Sequence, residues 1–429
     1  MFFCYNTHMK NFFWGASRSS KTSEARPDKF LFGAATSGHQ VEGGTHNDWS
    51  EWEVENAKIK MQNAKLRRYP DYILQKYPNP LQEENYISGK ACDHYNRYEE
   101  DFDIAKKLGH NAHRFSIEWS RIEPEEGKFD EKEIEHYRLV VSALRERGME
   151  PFVTLWHWTL PVWLSAKGGV LAKDFPICFE KYARCVASAL PDARFWITLN
   201  EPEIYVFNSY YRSIWPPQKK SVVSFFRATY ALNVAHQRAY RVIKNNISDA
   251  SVGVAVNQSY FESGGGMVND ILKWGADRVW NWRFLWYVSG ELDFIGLNYY
   301  FHNRIDYGFN KNKNEKISDM GWELYPEGLY HVLLGLKQFQ KPIYITENGL
   351  ADAKDQHRAW FIREHVHYMK KAMDQGADVR GYFYWSLLDN FEWDKGFWPR
   401  FGLVEIDYKT MERKIHPSAW EYKKIIEGG

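Results

Sequence analysis

Scarcity is the first signal in this chain. Only four of its 429 residues are cysteine (Cys4, Cys92, Cys178 and Cys185), too scattered for a disulfide framework and without a C-x-x-C pair that would read as a metal or redox site. A reducing, cytoplasmic compartment fits that usage. Neither sign of charge is in excess, 56 Lys and Arg standing against 55 Asp and Glu. No net field then draws the chain to nucleic acid or to an anionic membrane, and neither is expected as a partner. No apolar run approaches the ~20 residues of a membrane span. The opening segment MFFCYNTHMKNFFWGASRSSKTSEARPDKF lacks the continuous apolar stretch of a secretory signal, and residues 1 to 25 read as a disordered extension. A phosphate-cradling glycine loop is missing too. A small, neutral ligand is what these absences leave.

Aromatic residues are abundant by contrast, with 19 Trp, 27 Tyr and 27 Phe; most can fill a large core, but many stand beside polar groups. Eight apolar runs bounded by turn residues recur along the chain. They are FLFGAATSG (30–38), AHRFSIEW (112–119), EPFVTLWHW (150–158), RFWITLNEP (194–202), SVGVAVNQ (251–258), DFIGLNYY (293–300), PIYITENG (342–349) and VRGYFYWSLLD (379–389). Segments of helical period lie between them, at 95–109, 134–148, 178–190, 225–246 and 357–376. In the first of these Tyr98, Phe102, Ala105 and Leu108 share a face, closed by Gly109. Nearly continuous apolar strands alternating with helices predict an α/β fold, a (β/α)8 TIM barrel forming a single domain over residues 26–429. The longest connection, from 42 to 91, is expected to wall one side of the site.

In such a barrel the functional groups come from the C-terminal ends of the strands and the loops after them. Polar residues that finish an apolar run are therefore candidates: His39 and Gln40, Arg114 and Glu118, His157 and Trp158, Asn200 and Glu201, Asn257, Asn298 and Tyr300, Glu347 and Asn348, then Trp385, Asp389, Asn390, Glu392 and Trp393. Amides and carboxylates bond to hydroxyls, and an indole covers the apolar face of a sugar ring, so the set suits a neutral polyhydroxylated ligand. Glu201 on the fourth run and Glu347 on the seventh can face each other across the barrel mouth, the pair that glycoside hydrolysis requires. Pro202 is expected to hold Glu201 in the extended region. Arg114 beside one glutamate is expected to lower its pKa, leaving the other carboxyl protonated. Strand alternation puts Asn298 and Tyr300 on one face, where the phenol can reach a carboxylate. Plainer readings stand beside these: a strand-end ion pair for either glutamate, a bridge between barrel layers for Arg114, a core tyrosine for Tyr300. No metal is expected, because His365 and His367 are two apart on a helix and His110 and His113 lie away from a strand exit.

TLNEP and ITENG, in this order and each at a strand end, resemble the two signatures of glycoside hydrolase family 1, the retaining β-glucosidases and β-galactosidases. The flanking motifs FLFGAATSGHQVEGG, HRFSIEWSRI, LWHWTLPVWL, DFIGLNYY, MGWELYPEGL, YWSLLDNFEW and RFGLVEIDY agree, and the likeness runs from Lys29 onward. It implies Glu201 as general acid/base and Glu347 as nucleophile, acting through a covalent glycosyl-enzyme. Asn200 would hold the sugar 2-hydroxyl, with Arg114 and Tyr300 against the nucleophile. Gln40, His157, Glu392 and Trp393 match positions that hold the outer hydroxyls, joined in the substrate-binding set by Trp158 and Asn298. Trp385 matches the stacking platform and Trp322 the aglycone wall; no cofactor and no metal are implied.

Glu392 resembles the carboxylate of members that take terminal non-phosphorylated β-D-glucosyl, galactosyl or fucosyl groups, since it would repel a sugar phosphate. The retained Glu201 disfavours the thioglucosidase branch. One departure is the stretch ADRVWNWRFLWYVSGELDFIGLNYY, where the usual long segment before the sixth strand is shortened. The aglycone side is then expected to stand open, or to be closed by the long first connection or by another subunit of a homo-oligomer. The rival function is a sugar-binding barrel that has lost turnover.

Overall fold

The structure, a computed structural model, describes residues 29–428; the expected N-terminal extension lies outside them. Strands β1 (Leu31–Ala35), β2 (Ala112–Ser116), β3 (Glu150–Trp156), β4 (Phe195–Asn200), β5 (Ser251–Ser263), β6 (Phe294–Ile305), β7 (Ile343–Asn348) and β8 (Val379–Trp385) pair in parallel and in sequence order. β8 closes on β1, with Leu31 opposite Gly381 and Ala35 opposite Trp385, so the sheet has no edge. Each apolar run of the sequence supplies one strand, and the fold is the expected (β/α)8 barrel.

Helices cover the barrel: α1 (Asp48–Ala64), α2 (His94–Lys107), α3 (Glu131–Glu146), α4 (Phe175–Ala189), α5 (Val222–Asn246), α6 (Met267–Ala276), α7 (Arg283–Val288), α8 (Pro326–Leu336), α9 (Arg358–Asp374) and α10 (Pro417–Gly428). Local chemistry sets their starts. Asn47 accepts from the backbone N–H groups of Trp49 and Ser50 while Ser50 returns the bond, a reciprocal cap that begins α1. Asp130 caps α3 by accepting from Lys132 and Glu133. α2 buries Phe102 and Ala105 and is followed by buried Leu108, then stopped by Gly109 at φ +81. The connection from 42 to 91, which reads as a mixed polar loop, is not irregular. Its centre is the 17-residue α1, whose buried residues are only Asp48, Trp49, Trp52, Glu53, Ala57 and Ala64.

Inside the barrel the side chains form two layers that position the site. The lower layer is aromatic: Phe152 of β3 stacks on Phe195 of β4 at 4.3 Å between centroids and meets Tyr344 of β7 and Phe383 of β8 at 5.2 and 4.7 Å. Above it, toward the C-terminal ends, the layer turns polar, with Arg114, Thr154, Asn200, Asn298, Thr346 and Glu347 all buried. Register shifts fall at this upper level. Gln258 pairs with Tyr299 and Ser259 with Phe301, so Tyr300 is an extra residue in β6. Leu297 pairs with Ile345 and Asn298 with Glu347, so Thr346 is extra in β7. Bulges of this kind re-aim side chains next to functional sites. β5 and β6 also run on past the barrel as a ladder ending at Ser263 and Ile305, longer than their apolar runs.

Candidate active site

A cavity of about 1340 Å³ opens at the C-terminal end of the barrel, and Glu201, Glu347, His157, Trp158, Tyr300, Trp322, Trp385, Glu392 and Trp393 all line it. One hydrogen-bond chain joins the two glutamates. Arg114 donates through Nη1 to Glu347 Oε1 at 2.6 Å and through Nη2 to Asn200 Oδ1 at 2.6 Å. Asn298 Nδ2 donates to that same Asn200 oxygen at 3.1 Å and to Glu201 Oε1 at 2.8 Å. Tyr300 donates to Glu347 Oε2 at 2.9 Å, and Asn257 donates to Glu201 Oε1 at 3.0 Å. Thr154 and Thr346 brace the chain from behind, the first accepting from Arg114 Nε and the second donating to Asn298 Oδ1.

The two carboxyls sit in unlike surroundings. Burial pushes Glu201 up to about 8, reinforced by the charge of Glu347 and opposed by its two asparagine donors. Burial pushes Glu347 up as well, but the Arg114 guanidinium and the Tyr300 hydroxyl oppose it. The expected lowering by Arg114 is thus a partial offset to desolvation, because a carboxylate this deep loses more from dehydration than one guanidinium returns. Glu347 has a guanidinium and a phenol bonded to it where Glu201 has only amides, and a charge on Glu347 raises Glu201 further. The pair can therefore present an acid and an anion to one cavity at the same pH.

Glu201 corrects a second expectation. Its backbone is left-handed, at φ 43 and ψ 56, not extended. Pro202 still excludes the right-handed helical region. Neighbouring bonds then choose the well: the Glu201 N–H donates to Ala255 O at 2.8 Å, and its carbonyl accepts from Ile204 and Tyr205 at 3.0 and 3.1 Å, opening the short helix Pro202–Val206. Trp158 at φ 80 and Trp393 at φ 50 share the left-handed region. Such residues cost about 1 kcal/mol or more each and persist where their surroundings over-determine them, commonly at functional sites.

His157 and Glu392 line one part of the cavity, with Gln40 bonded to Glu392 beside them. Asn200 Nδ2 donates to His157 Nε2 at 3.0 Å. His157 is neutral, its pKa driven well down by burial and then by Arg114, so its proton is on Nδ1. That Nδ1 and Gln40 Oε1 are buried without a partner among the described residues, a donor and an acceptor free for a ligand. Gln40 is fixed by donating to Asn390 Oδ1, Phe391 O and Glu392 Oε2. Burial, then Glu347 and Asp394, raise Glu392 to about 8. Trp393 packs between His39 and His157, at 5.5 and 5.7 Å, over Trp158 and Trp49. Trp322 stands at the outer end against Phe301 and Tyr300.

The sequence matches the family model of Glycosyl hydrolase family 1 over residues 22–291 and 285–429. The chain belongs to glycosyl hydrolase family 1. Among its relatives, the 1,4-beta-D-glucan glucohydrolase of Thermotoga neapolitana is 32% identical over 94% of this chain and 98% of that one. The solved beta-glycosidase from Pyrococcus horikoshii superposes with a TM-score of 0.82 at 37% identity, covering 93% of this chain and 94% of that one. The Beta-glucosidase from Thermotoga maritima in complex with glucoimidazole superposes at 0.83 with 30% identity, covering 94% and 98%.

In this family 1 enzyme, not every polar residue that finishes an apolar run faces the cavity. His39 is tied to Glu53 at 2.6 Å and to Asn47, and Glu118 accepts from Asn47, Ser120 and Thr159. Asn348 holds Tyr299 O and Tyr382 Oη, and Asp389 accepts from Gly402 N. These brace the framework behind the site. Asn298 and Asn200 likewise engage mostly protein atoms, so Asn298 acts on Glu201 rather than lining the cavity. Arg67, Arg68 and Tyr69, between α1 and β2, also line the mouth, in line with the expected wall, but no strand-end pattern marks them.

Proposed function

We propose that this family 1 enzyme is a retaining, exo-acting β-glycosidase that hydrolyses terminal non-phosphorylated β-D-glucosyl or closely related glycosyl groups. The observation that carries this reading is the single network that brings Glu201, its pKa pushed up to about 8 by burial, and Glu347, paired with Arg114 at 2.6 Å, to one cavity. Glu347, aligned by Arg114 and Tyr300, attacks the anomeric carbon while Glu201 gives its proton to the departing oxygen. The glycosyl-enzyme ester forms and the aglycone leaves. Glu201, now an anion, takes a proton from water, which attacks the same carbon and frees Glu347. Asn200 has a second Nδ2 hydrogen for the sugar 2-hydroxyl, and His157 Nδ1–H and Gln40 Oε1 are disposed to read outer hydroxyls.

A phosphorylated sugar is disfavoured at this end of the site. Glu392, Glu347, Glu201 and Asp394 concentrate acids there, and the cations beside them, Arg114 and Lys395, are already paired with Glu347 and Asp394. The test is a panel of p-nitrophenyl β-glycosides. Release of p-nitrophenol from the glucoside or galactoside, unchanged after dialysis against EDTA, is the expected result. Binding of these sugars without any turnover would instead favour an inactive sugar-binding barrel.

A further inference from the structure

The face built from the first half of α5 with α6 and α7 is unlike the rest of the surface. Val223, Tyr230, Met267 and Trp274 are 69%, 71%, 79% and 57% exposed there. Two chains of rings and guanidinium groups lie beside them. Arg278 lies over Trp274 at 3.8 Å and beside Trp282, which meets Trp286. Arg283 lies over Phe225 and Phe226, Phe225 meets Tyr211, Tyr211 stacks on Phe207 at 5.3 Å, and Phe207 meets Trp280. Phe207, Tyr211 and Trp280 also line the catalytic cavity, so the second chain runs into its mouth. Charge is one-sided on the α5 part of this face, while α6 and the residue after it add exposed Asp270 and buried Asp277, the latter paired with Lys273. From Ile204 to Ser248 there are seven Lys and Arg and no Asp or Glu. Five of the seven are exposed; Arg241 pairs with Glu291, and the other four, Arg212, Lys219, Lys220 and Arg227, pair with no carboxylate among the described residues. The balanced total over the whole chain conceals this asymmetry.

We propose that this face docks on an anionic lipid surface and that the enzyme takes β-glycosides bearing apolar chains from it, the second half resting on the β-glycosidase reading above. Exposed Trp and Tyr mixed with unpaired Lys and Arg is the composition of a membrane-interface surface. A monomer rarely leaves so large an apolar patch bare. A second copy is the poorer occupant, because a two-fold contact would set Arg212, Lys219, Lys220 and Arg227 against their own like charges. Docking is peripheral: among the described residues no helix is long and apolar enough to cross a membrane. With the face seated, an apolar chain passes from lipid into the cavity mouth along Tyr211, Phe207 and Trp280 without crossing water.

The full chain is tested by co-sedimentation with vesicles of phosphatidylcholine alone and of phosphatidylcholine mixed with phosphatidylglycerol. Binding to the mixed vesicles, weakened by salt, is expected. Lys219→Glu with Lys220→Glu, and separately Val223→Glu with Met267→Glu, should each cut that binding roughly tenfold or more. Hydrolysis of soluble p-nitrophenyl β-glucoside should be unchanged in both, which also shows that they fold, while hydrolysis of dodecyl β-glucoside held in mixed vesicles falls with binding. The proposal is overturned if the wild type stays in the supernatant, if the variants bind undiminished, or if sedimentation equilibrium finds a dimer that Val223→Glu with Met267→Glu dissociates. Vesicle binding needs no turnover, so a failure of the reaction reading would show separately, as inactivity on the aryl glucoside with binding intact.

Discussion

Glu201 and Glu347 are the same side chain placed in two environments, and the difference is made by a few donors. Asn257 donates to Glu201 only when that carboxylate can accept, so it favours the anion and holds the pKa down. Asn257→Leu should therefore move the alkaline limb of the kcat/KM profile to higher pH and leave the acid limb in place; a downward shift would contradict the assignment. Glu347→Gly should lower turnover by roughly four orders of magnitude, with partial rescue by azide or formate in steady-state assays. Both carboxylates were legible in TLNEP and ITENG, because a polar residue ending an apolar run is a local pattern. The left-handed backbone of Glu201 was not. It is chosen by a bond to Ala255 on the next strand, a partner more than fifty residues away, and the preference of a residue before proline speaks only about its immediate neighbour.

The strands were legible as elements, since each apolar run matches one; their bulges were not. An extra Tyr300 in β6 and an extra Thr346 in β7 follow from how adjacent strands fit, and the two-residue alternation of a single strand carries no trace of them. α1 was hidden for the opposite reason, its buried stripe being too thin to set a helical period. Gly349, which ends ITENG, shows how tightly β7 and β8 meet. A Cβ there would lie 1.8 Å from Trp385 O, a backbone atom that can yield only by moving the strand end. Gly349→Ala should cost about 1–3 kcal/mol in denaturant unfolding and lower kcat/KM with it, since Glu347 and Trp385 both sit at that junction. A variant as stable and active as the wild type would show that the junction is looser than described.

Across the whole molecule, stability is tied to pH by acids buried far from their ordinary range. Burial lifts Glu201, Glu203 and Glu392 to about 8 and Asp48 to about 7. The folded chain then binds more protons than the unfolded one, and the stability this gives is lost as pH rises toward about 8. Buried His110, His113, His157 and His365, all lowered, act in the opposite sense, but only below their ordinary value of 6.5. Above that point no lowered histidine opposes the acids, and buried His39, which Glu53 raises against the effect of burial, acts with them, so Tm should fall between about pH 6.5 and 8 in calorimetry, and Glu203→Gln should flatten the decline. A Tm that rises over that interval would refute the ledger. The central claim, that Glu347 carries the glycosyl group between two displacements, is tested most directly by trapping. Incubation with a 2-deoxy-2-fluoro-β-glucoside bearing a good leaving group, followed by proteolysis and mass spectrometry, should find a single glycosyl unit on Glu347. An adduct on another residue, or hydrolysis with inverted anomeric configuration and no adduct, would contradict it.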